Sequence, residues 1–543
     1  VHIVQANALQ QQHYSTNNTG TATTGTGTIP SATNQALDLV SVGISSGALP
    51  ALLGLLSNGT PSGRHAAARL VVFLAKYKNK DAVVAAGAVS HLVPLLSLQK
   101  TKQDSVRRQA ATALCVLMHR CDAARRQFLD AQGIQLVVSL LTKKSTQKTA
   151  DSSSSLSSSS PAGGASNGEA KAAIAASGEV EEGTRQEAAR LVGILCANNT
   201  FNQGAIAADA GAITALVDII KHPNKASIAT QEAAAVALSN LACLPSNQTA
   251  LAAAEAGHAL LQLLDKDATP TSSHGCRIAA ARALSNMVAD GMPEELQRSV
   301  SEMVQLLTEL AIPVDEKLMQ KIPSSTYQHQ HQNNTTTSGP TSHSHHNEFE
   351  HQIAAACALG NIACADQHGA DAVAKYGGAA VLARLCQSEV PSVREAAVQG
   401  LWESSRGSVE ARHVAVQEQV VPWLVQILIV GEDPAKEAAS GCLAELTRCG
   451  EIVCAAAEEA GALLLLQQLA DHGSVDVAGA AAAALKALQR RSPDSPSLEN
   501  ELSQRLSSMR ELGSRRFDSG GEASSEDEDD EEKEKNGQSH DDV

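Results

Sequence analysis

Three asparagines stand at the same place in three copies of one phrase: Asn240 in ALSNLA, Asn286 in ALSNMV and Asn361 in ALGNIA. A side-chain amide donates and accepts hydrogen bonds, so a row of amides suits a peptide backbone. The same amide can also bond backbone within its own array, and both readings stay open. Weaker copies of the phrase put Phe73, Val116, Ile194, Glu403 and Glu445 at that place. One helical turn earlier the copies read Arg69, Thr112, Arg190, Val236, Arg282, Cys357, Gln399 and Gly441. Charge is uneven along the row. Early copies carry Arg64, Arg69, Arg107, Arg108, Arg185 and Arg190, and late ones carry Glu395, Glu403, Glu437 and Glu445. This charge reads either as helix-surface charge with no role or as a groove whose N-terminal half accepts acidic segments. The expected binding set is Arg69, Arg108, Arg190, Asn240, Arg282, Asn286, Asn361, Glu403 and Glu445.

Other chemistry is sparse. The chain has no GxxxxGK[ST], GxSxG or HExxH motif and no glycine-rich dinucleotide fingerprint after a strand, so it reads as non-enzymatic, with no cofactor. A histidine-rich stretch holds His329, His331, His343, His345, His346 and His351. Fixed metal sites need ligands on ordered elements, and these lie in a low-complexity segment, so no metal site is expected. The 11 cysteines are odd in number and include no CxxC pair. Most sit in alanine-rich stretches and read as small buried hydrophobes in a reducing compartment. Ser524 and Ser525 each have an acid three residues on, which resembles a casein kinase 2 acceptor. Phosphate there would deepen a negative field.

The elements that must position these residues come from repetition. A small residue, glycine and a leucine-rich run recur as SGALPALLGLL, AGAVSHLVPLL, QGIQLVVSLL, AGAITALVDII, AGHALLQLL, GGAAVLARL and AGALLLLQQL. Their glycines are Gly47, Gly87, Gly133, Gly211, Gly257, Gly377 and Gly461. Two further copies place Arg298 and Gln419 in the glycine slot, which makes nine units at a period near 42 residues. The asparagine phrase follows each leucine phrase, with apolar residues at helical spacing. Each unit therefore reads as a short helix, a sharp turn at the glycine, a second helix, a loop and a longer third helix. No unit can bury its own apolar face, so the units must stack. Composition agrees: 43% of residues are hydrophobic but only 2% aromatic, which suits closely packed helices of Ala and Leu.

The period, the AGAI-type leucine phrase and the ALSN phrase resemble armadillo repeats over about residues 37–492. That resemblance implies an all-α, right-handed solenoid whose third helices line a concave groove for extended peptides. It implies a protein-interaction scaffold, most similar to vacuolar protein 8-like and plant or algal armadillo proteins. The asparagine row is similar to that of importin-α, where such side chains clamp peptide backbone. Importin-α places Trp one turn earlier; here that column holds Val236, Arg282 and Cys357, and neither Trp402 nor Trp423 falls in it. A nuclear-import carrier is thereby disfavoured. β-catenin is a poorer match, because its groove is basic throughout. The alternative is the substrate-recognition array of a U-box-type ubiquitin ligase, whose recruiting domain would lie outside this chain. A chaperone-associated exchange factor would carry fewer units.

Outside the array, residues 1–36 read as a polar low-complexity segment. Insertions at about 143–183 (Ser-, Ala- and Gly-rich) and 313–350 (His-, Gln-, Asn- and Thr-rich) both fall between second and third helices, and their composition predicts disorder. Residues 493–517 space Leu498, Leu502, Leu506, Met509 and Leu512 as one helical face, fit either to cap the last unit or to bind a partner. Residues 518–543 form an acidic tail that repels itself. The net charge is −16, most of it in that tail, which argues against general nucleic-acid binding. No apolar run is long enough to span a membrane. The expected partners are proteins bound through extended or acidic segments, with the acidic tail itself one candidate ligand. The expected location is cytoplasm or nucleus; membrane anchoring through an N-terminus, as in vacuolar protein 8, is not carried over.

Overall fold

The computed structural model describes residues 48–76, 79–99, 101, 103–142, 180–222, 226–269, 272–312 and 349–489. Residues 1–36, the capping segment 493–517, the acidic tail with Ser524 and Ser525, and most of both insertions lie outside the described residues.

The described residues fold as helices, with no strand among them. Unit 4 shows the pattern: Thr200–Ala207, then Ala210–Lys221, then Ile228–Ala242. The third helices run Pro61–Lys76, Asp104–Met118, Glu182–Cys196, Ile228–Ala242, His274–Val288, Glu350–Ala365, Pro391–Gly407, Asp433–Leu446 and Val475–Gln489. Each packs on the next, so the stack is unbroken from unit 1 to unit 9. One continuous apolar core follows it, from Leu49 to Leu488. Leucines from the second helices fill that core, with Leu56, Leu92, Leu96, Leu140 and Leu141 buried almost completely. Each such side chain contributes roughly 1.5–3 kcal/mol. Alanines and glycines on the third helices let them approach closely. A Cβ on Gly360 would lie 2.8 Å from the Gly400 Cα of the next unit. No single helix among the described residues is long and apolar enough to cross a membrane.

The turn before the second helix follows expectation at Gly87, Gly377 and Gly461, with φ of +82°, +86° and +79°. Gln419 takes the same left-handed turn, at φ +56°. Gly133, Gly211 and Gly257 do not, and Gly47 lies outside the described residues. Gln132 and Glu255 carry the positive φ instead. Gly133 is there for packing, since a Cβ would lie 2.3 Å from the buried Phe128 ring. At Gly257 it would meet the Leu296 side chain and the Glu295 carboxylate.

Both insertions leave the array between its second and third helices, at Gly133–Thr142 to Glu182–Cys196 and at Val300–Ala311 to Glu350–Ala365. Their C-terminal ends belong to the array. Val180 is fully buried, Thr184 Oγ1 donates to Asp104 Oδ2 at 2.5 Å, and the helix opens at Glu182. His351, read as part of the histidine-rich insertion, sits in a third helix. It is 8% exposed, edge-on to His274 at 4.8 Å between ring centres.

Candidate peptide-binding groove

Stacking places equivalent positions of the third helices side by side. In units 4 to 6 the asparagines use their amide nitrogens to tie one third helix to the one before. Asn240 Nδ2 donates to the Gly193 carbonyl at 2.9 Å, and Asn286 Nδ2 donates to the Ser239 carbonyl at 3.0 Å. Asn361 Nδ2 donates to both the carbonyl and the hydroxyl of Ser285, each at 2.9 Å. The acceptor is always the residue before the equivalent position one unit earlier. These donors therefore serve the array. Asn240 and Asn286 are half-buried, whereas Asn361 is 1% exposed and leaves the surface.

A carboxylate cannot donate, so Glu403 and Glu445 turn elsewhere. Glu403 is 6% exposed and pairs with Arg406 at 2.7 Å. Glu445 pairs with Arg448 at 3.1 Å and approaches Arg412 at 3.8 Å. Of the four carboxylates expected in the late units, Glu403 and Glu445 are thus paired with the chain's own arginines. Burial pushes the neighbouring Cys364 thiol up, and the Glu403 charge pushes the same way. Cys243 and Cys364 are exposed, against the expectation that the cysteines are buried; the other nine are buried or half-buried, and all eleven are free thiols. Where burial is deep the thiols are inert, with Cys196 and Cys442 raised to about 12.

The early arginines divide. Arg107 is 2% exposed, pairs with Asp104 at 2.7 Å and donates to the Thr101 carbonyl. It is a structural residue and leaves the expected charged set. Arg64 donates to the Ser57 carbonyl at 2.8 Å. Arg69 and Arg108 are exposed, and neither forms an ion pair among the described residues. Arg190 keeps a half-exposed guanidinium, 3.4 Å from Glu187. Arg282 is partly tied up, 3.5 Å from Glu350 across the unit boundary. The Arg108 guanidinium lies where a Cβ on Gly183 of the next unit would be, at 2.7 Å. A polar cleft of about 360 Å³ opens there, lined by Arg108, Thr112, His65 and Glu187 among others.

Trp402 holds a position the sequence reading missed. It is not in the column one turn before the asparagines, but its indole reaches that column and covers Gly441 of the next unit. A Cβ on Gly441 would lie 2.4 Å from the ring. Arg406 sits over the same ring, 6.0 Å from its centre. The glycine in the column was the available signal, since it leaves room for a neighbour's large side chain.

Residues 76–119, which hold unit 2 nearly whole, match the Armadillo/beta-catenin-like repeat family. Unit 2 is thus similar to an armadillo repeat, and units 3 to 9 repeat its three-helix plan. The architecture of the array is shared with a solved engineered protein at 25% identity, covering 84% of this chain and 92% of that one with a TM-score of 0.59. Two other solved proteins are similar over about half of this chain. One is a second engineered protein, at 24% identity, covering 50% of this chain and 96% of that one (TM-score 0.39). The other is a designed armadillo repeat protein, at 20% identity, covering 51% of this chain and 99% of that one (TM-score 0.40). No curated protein matches the chain.

Proposed function

We propose that this armadillo array is a non-enzymatic adaptor that holds an extended, acidic segment of another protein along its first three units. The observation that carries the reading is the contrast in charge. Arg69 and Arg108 stand exposed with no ion pair among the described residues, and Arg190 stays half-exposed beside Glu187, all on successive third helices, while Glu403 and Glu445 are paired and largely covered. Each exposed cation contributes modestly, on the order of 0.2–1 kcal/mol, so the attraction depends on several acting together and weakens with salt. The same groove would serve as the recognition array of a U-box-type ligase; the ligand chemistry is common to both readings. An importin-type site is not favoured, because the cation over the Trp402 ring is the chain's own Arg406.

The acidic tail is the first intramolecular candidate. Residues 522–543 carry eleven acids against Lys533 and Lys535. The chain between Gln489 and Glu526 can span at most about 120–130 Å. Nine units stacked at about 8–10 Å span less than that, so the tail can reach unit 1.

The test is a peptide-array pull-down on the whole chain, beside a form with the acids of 526–534 changed to amides. Acidic peptides should bind better when the tail is neutralised and be lost in Arg69→Glu/Arg190→Glu. Binding indifferent to those two arginines would overturn the reading.

A further inference from the structure

The first units carry apolar side chains at the place where later units carry Asn or Glu. At the place taken by asparagine in units 4 to 6, units 1 to 3 carry Phe73, Val116 and Ile194. Phe73 is 41% exposed, and Val116 and Ile194 are partly buried against the core. Val236 of unit 4 stands one helical turn before that place, in the column of Arg69 and Arg190, and adjoins the row from the next helix. It is 42% exposed, and its Cγ1 lies 3.6 Å from where a Gly193 Cβ would stand, beside Ile194. The row ends at Asn240, whose amide is spent on the Gly193 carbonyl. Arg69, Arg108 and Arg190 border it.

We propose that units 1 to 4 form a mixed subsite for an extended acidic segment that carries large apolar side chains, the acids meeting the arginines and the apolar groups covering Phe73, Ile194 and Val236. This deepens the acidic-segment reading and rests on it. An apolar row bordered by charge is the pattern of an interaction surface, and burying side chains of this size drives binding. The cationic border selects the partner: a basic segment of the same shape would be repelled. The chain's own tail meets only half of this requirement. Residues 522–542 contain no Leu, Ile, Val, Met, Phe, Tyr or Trp. The tail therefore fits the arginines, leaves the apolar row uncovered, and yields to a partner that covers both.

Fluorescence anisotropy on the whole chain tests this with three labelled ten-residue peptides. One mixes Asp and Glu with Leu and Phe, the second has Ser in place of Leu and Phe, and the third has Lys in place of the acids. The mixed peptide should bind about tenfold or more tighter than the serine peptide. Val236→Ser and Phe73→Ser should each erase much of that difference while leaving the serine peptide's affinity unchanged. Melting curves confirm that the variants fold, and Val236 alone suffices if Phe73→Ser does not. Equal binding of the first two peptides, unmoved by either variant, overturns the apolar row but leaves the acidic reading standing. Failure of both acidic peptides, with Arg69→Glu/Arg190→Glu silent, overturns that reading and this one with it. Tightest binding by the lysine peptide overturns both as well.

Discussion

Units 4 to 6 and units 7 to 8 use the same position of the third helix in opposite ways. In the middle of the array it is Asn, and the amide reaches back to the preceding helix. In the later units it is Glu, and the carboxylate is held by an arginine three residues on, Arg406 on the same helix and Arg448 in the turn just after it. The middle is also bridged at its edge. Glu182 Oε1 accepts from Ser227 N at 2.7 Å and from Thr230 Oγ1 at 2.5 Å, and Ser273 Oγ donates to Glu232. Lys221 pairs with Glu255 and Lys266 with Glu309, each at 2.6 Å across a unit boundary. One fold position can therefore couple repeats or be self-contained, and the choice depends on whether its side chain can donate.

At the boundary between the two regions the Gly360–Gly400 approach leaves no room for a side chain. Gly360→Leu should cost about 3 kcal/mol through overpacking, read by urea unfolding. Gly479→Ala is the control. Its Cβ would meet nothing within 4 Å, so a helical Gly→Ala change there should be neutral or stabilise by up to about 1 kcal/mol. Equal costs at both positions would show that the close approach does not hold the two regions together.

Next in size is the asparagine bridge. Asn361→Leu removes two bonds and strands the Ser285 carbonyl, so it should cost about 2 kcal/mol. Asn240→Leu should cost about 1 kcal/mol, because water can reach part of that site. A larger loss at Asn240 would mean that bridging strength does not follow burial.

The converse change sharpens the comparison. Glu403→Asn gives unit 7 a donor aimed, by analogy of position, at the Gly360 carbonyl. Gain of that bond against loss of the Arg406 pair should leave stability within about 1 kcal/mol, tending to stabilisation. A cost of several kcal/mol would show that the local ion pair, and not the lack of a donor, sets the character of units 7 and 8.

The repeat, its three helices and the two insertion sites were legible because each rests on period and pattern, which are local properties of the chain. The groove was less so. That Asn240 and Asn361 spend their donors on the previous helix depends on where a neighbouring carbonyl stands, and that follows only from stacking. The burial of Arg107 beside exposed Arg108 had a sequence signal: Asp104 lies three residues before Arg107, one helical turn away. Gly133 was read as a turn because its phrase places it there, but the cause is the Phe128 ring brought in from the preceding helix. The reach of Trp402 over Gly441 spans two units and was equally invisible in spacing.

The smallest effect separates two carboxylates that bridge units in the middle of the array. Glu255 is held below its ordinary value of 4.5 by the hydrogen bond and charge of Lys221. Glu295, which accepts from the Gly257 backbone N–H, is raised by burial. The two therefore have opposite signs. The Glu255 contribution is present above pH 4.5 and is lost as pH falls through its lowered folded value. The Glu295 contribution is present below pH 4.5 and is lost as pH rises through its raised folded value. Thermal melting from pH 3 to 7 should then show Lys221→Met losing less stability than the parent on acidification. Glu295→Gln should be more stable than the parent at pH 7, with the gain fading toward pH 4.5. A lower melting temperature for Glu295→Gln at pH 7 would mean that the charge-assisted bond to Gly257 outweighs the burial of the carboxylate, and that this bridge, like the asparagines, strengthens the middle of the array at neutral pH.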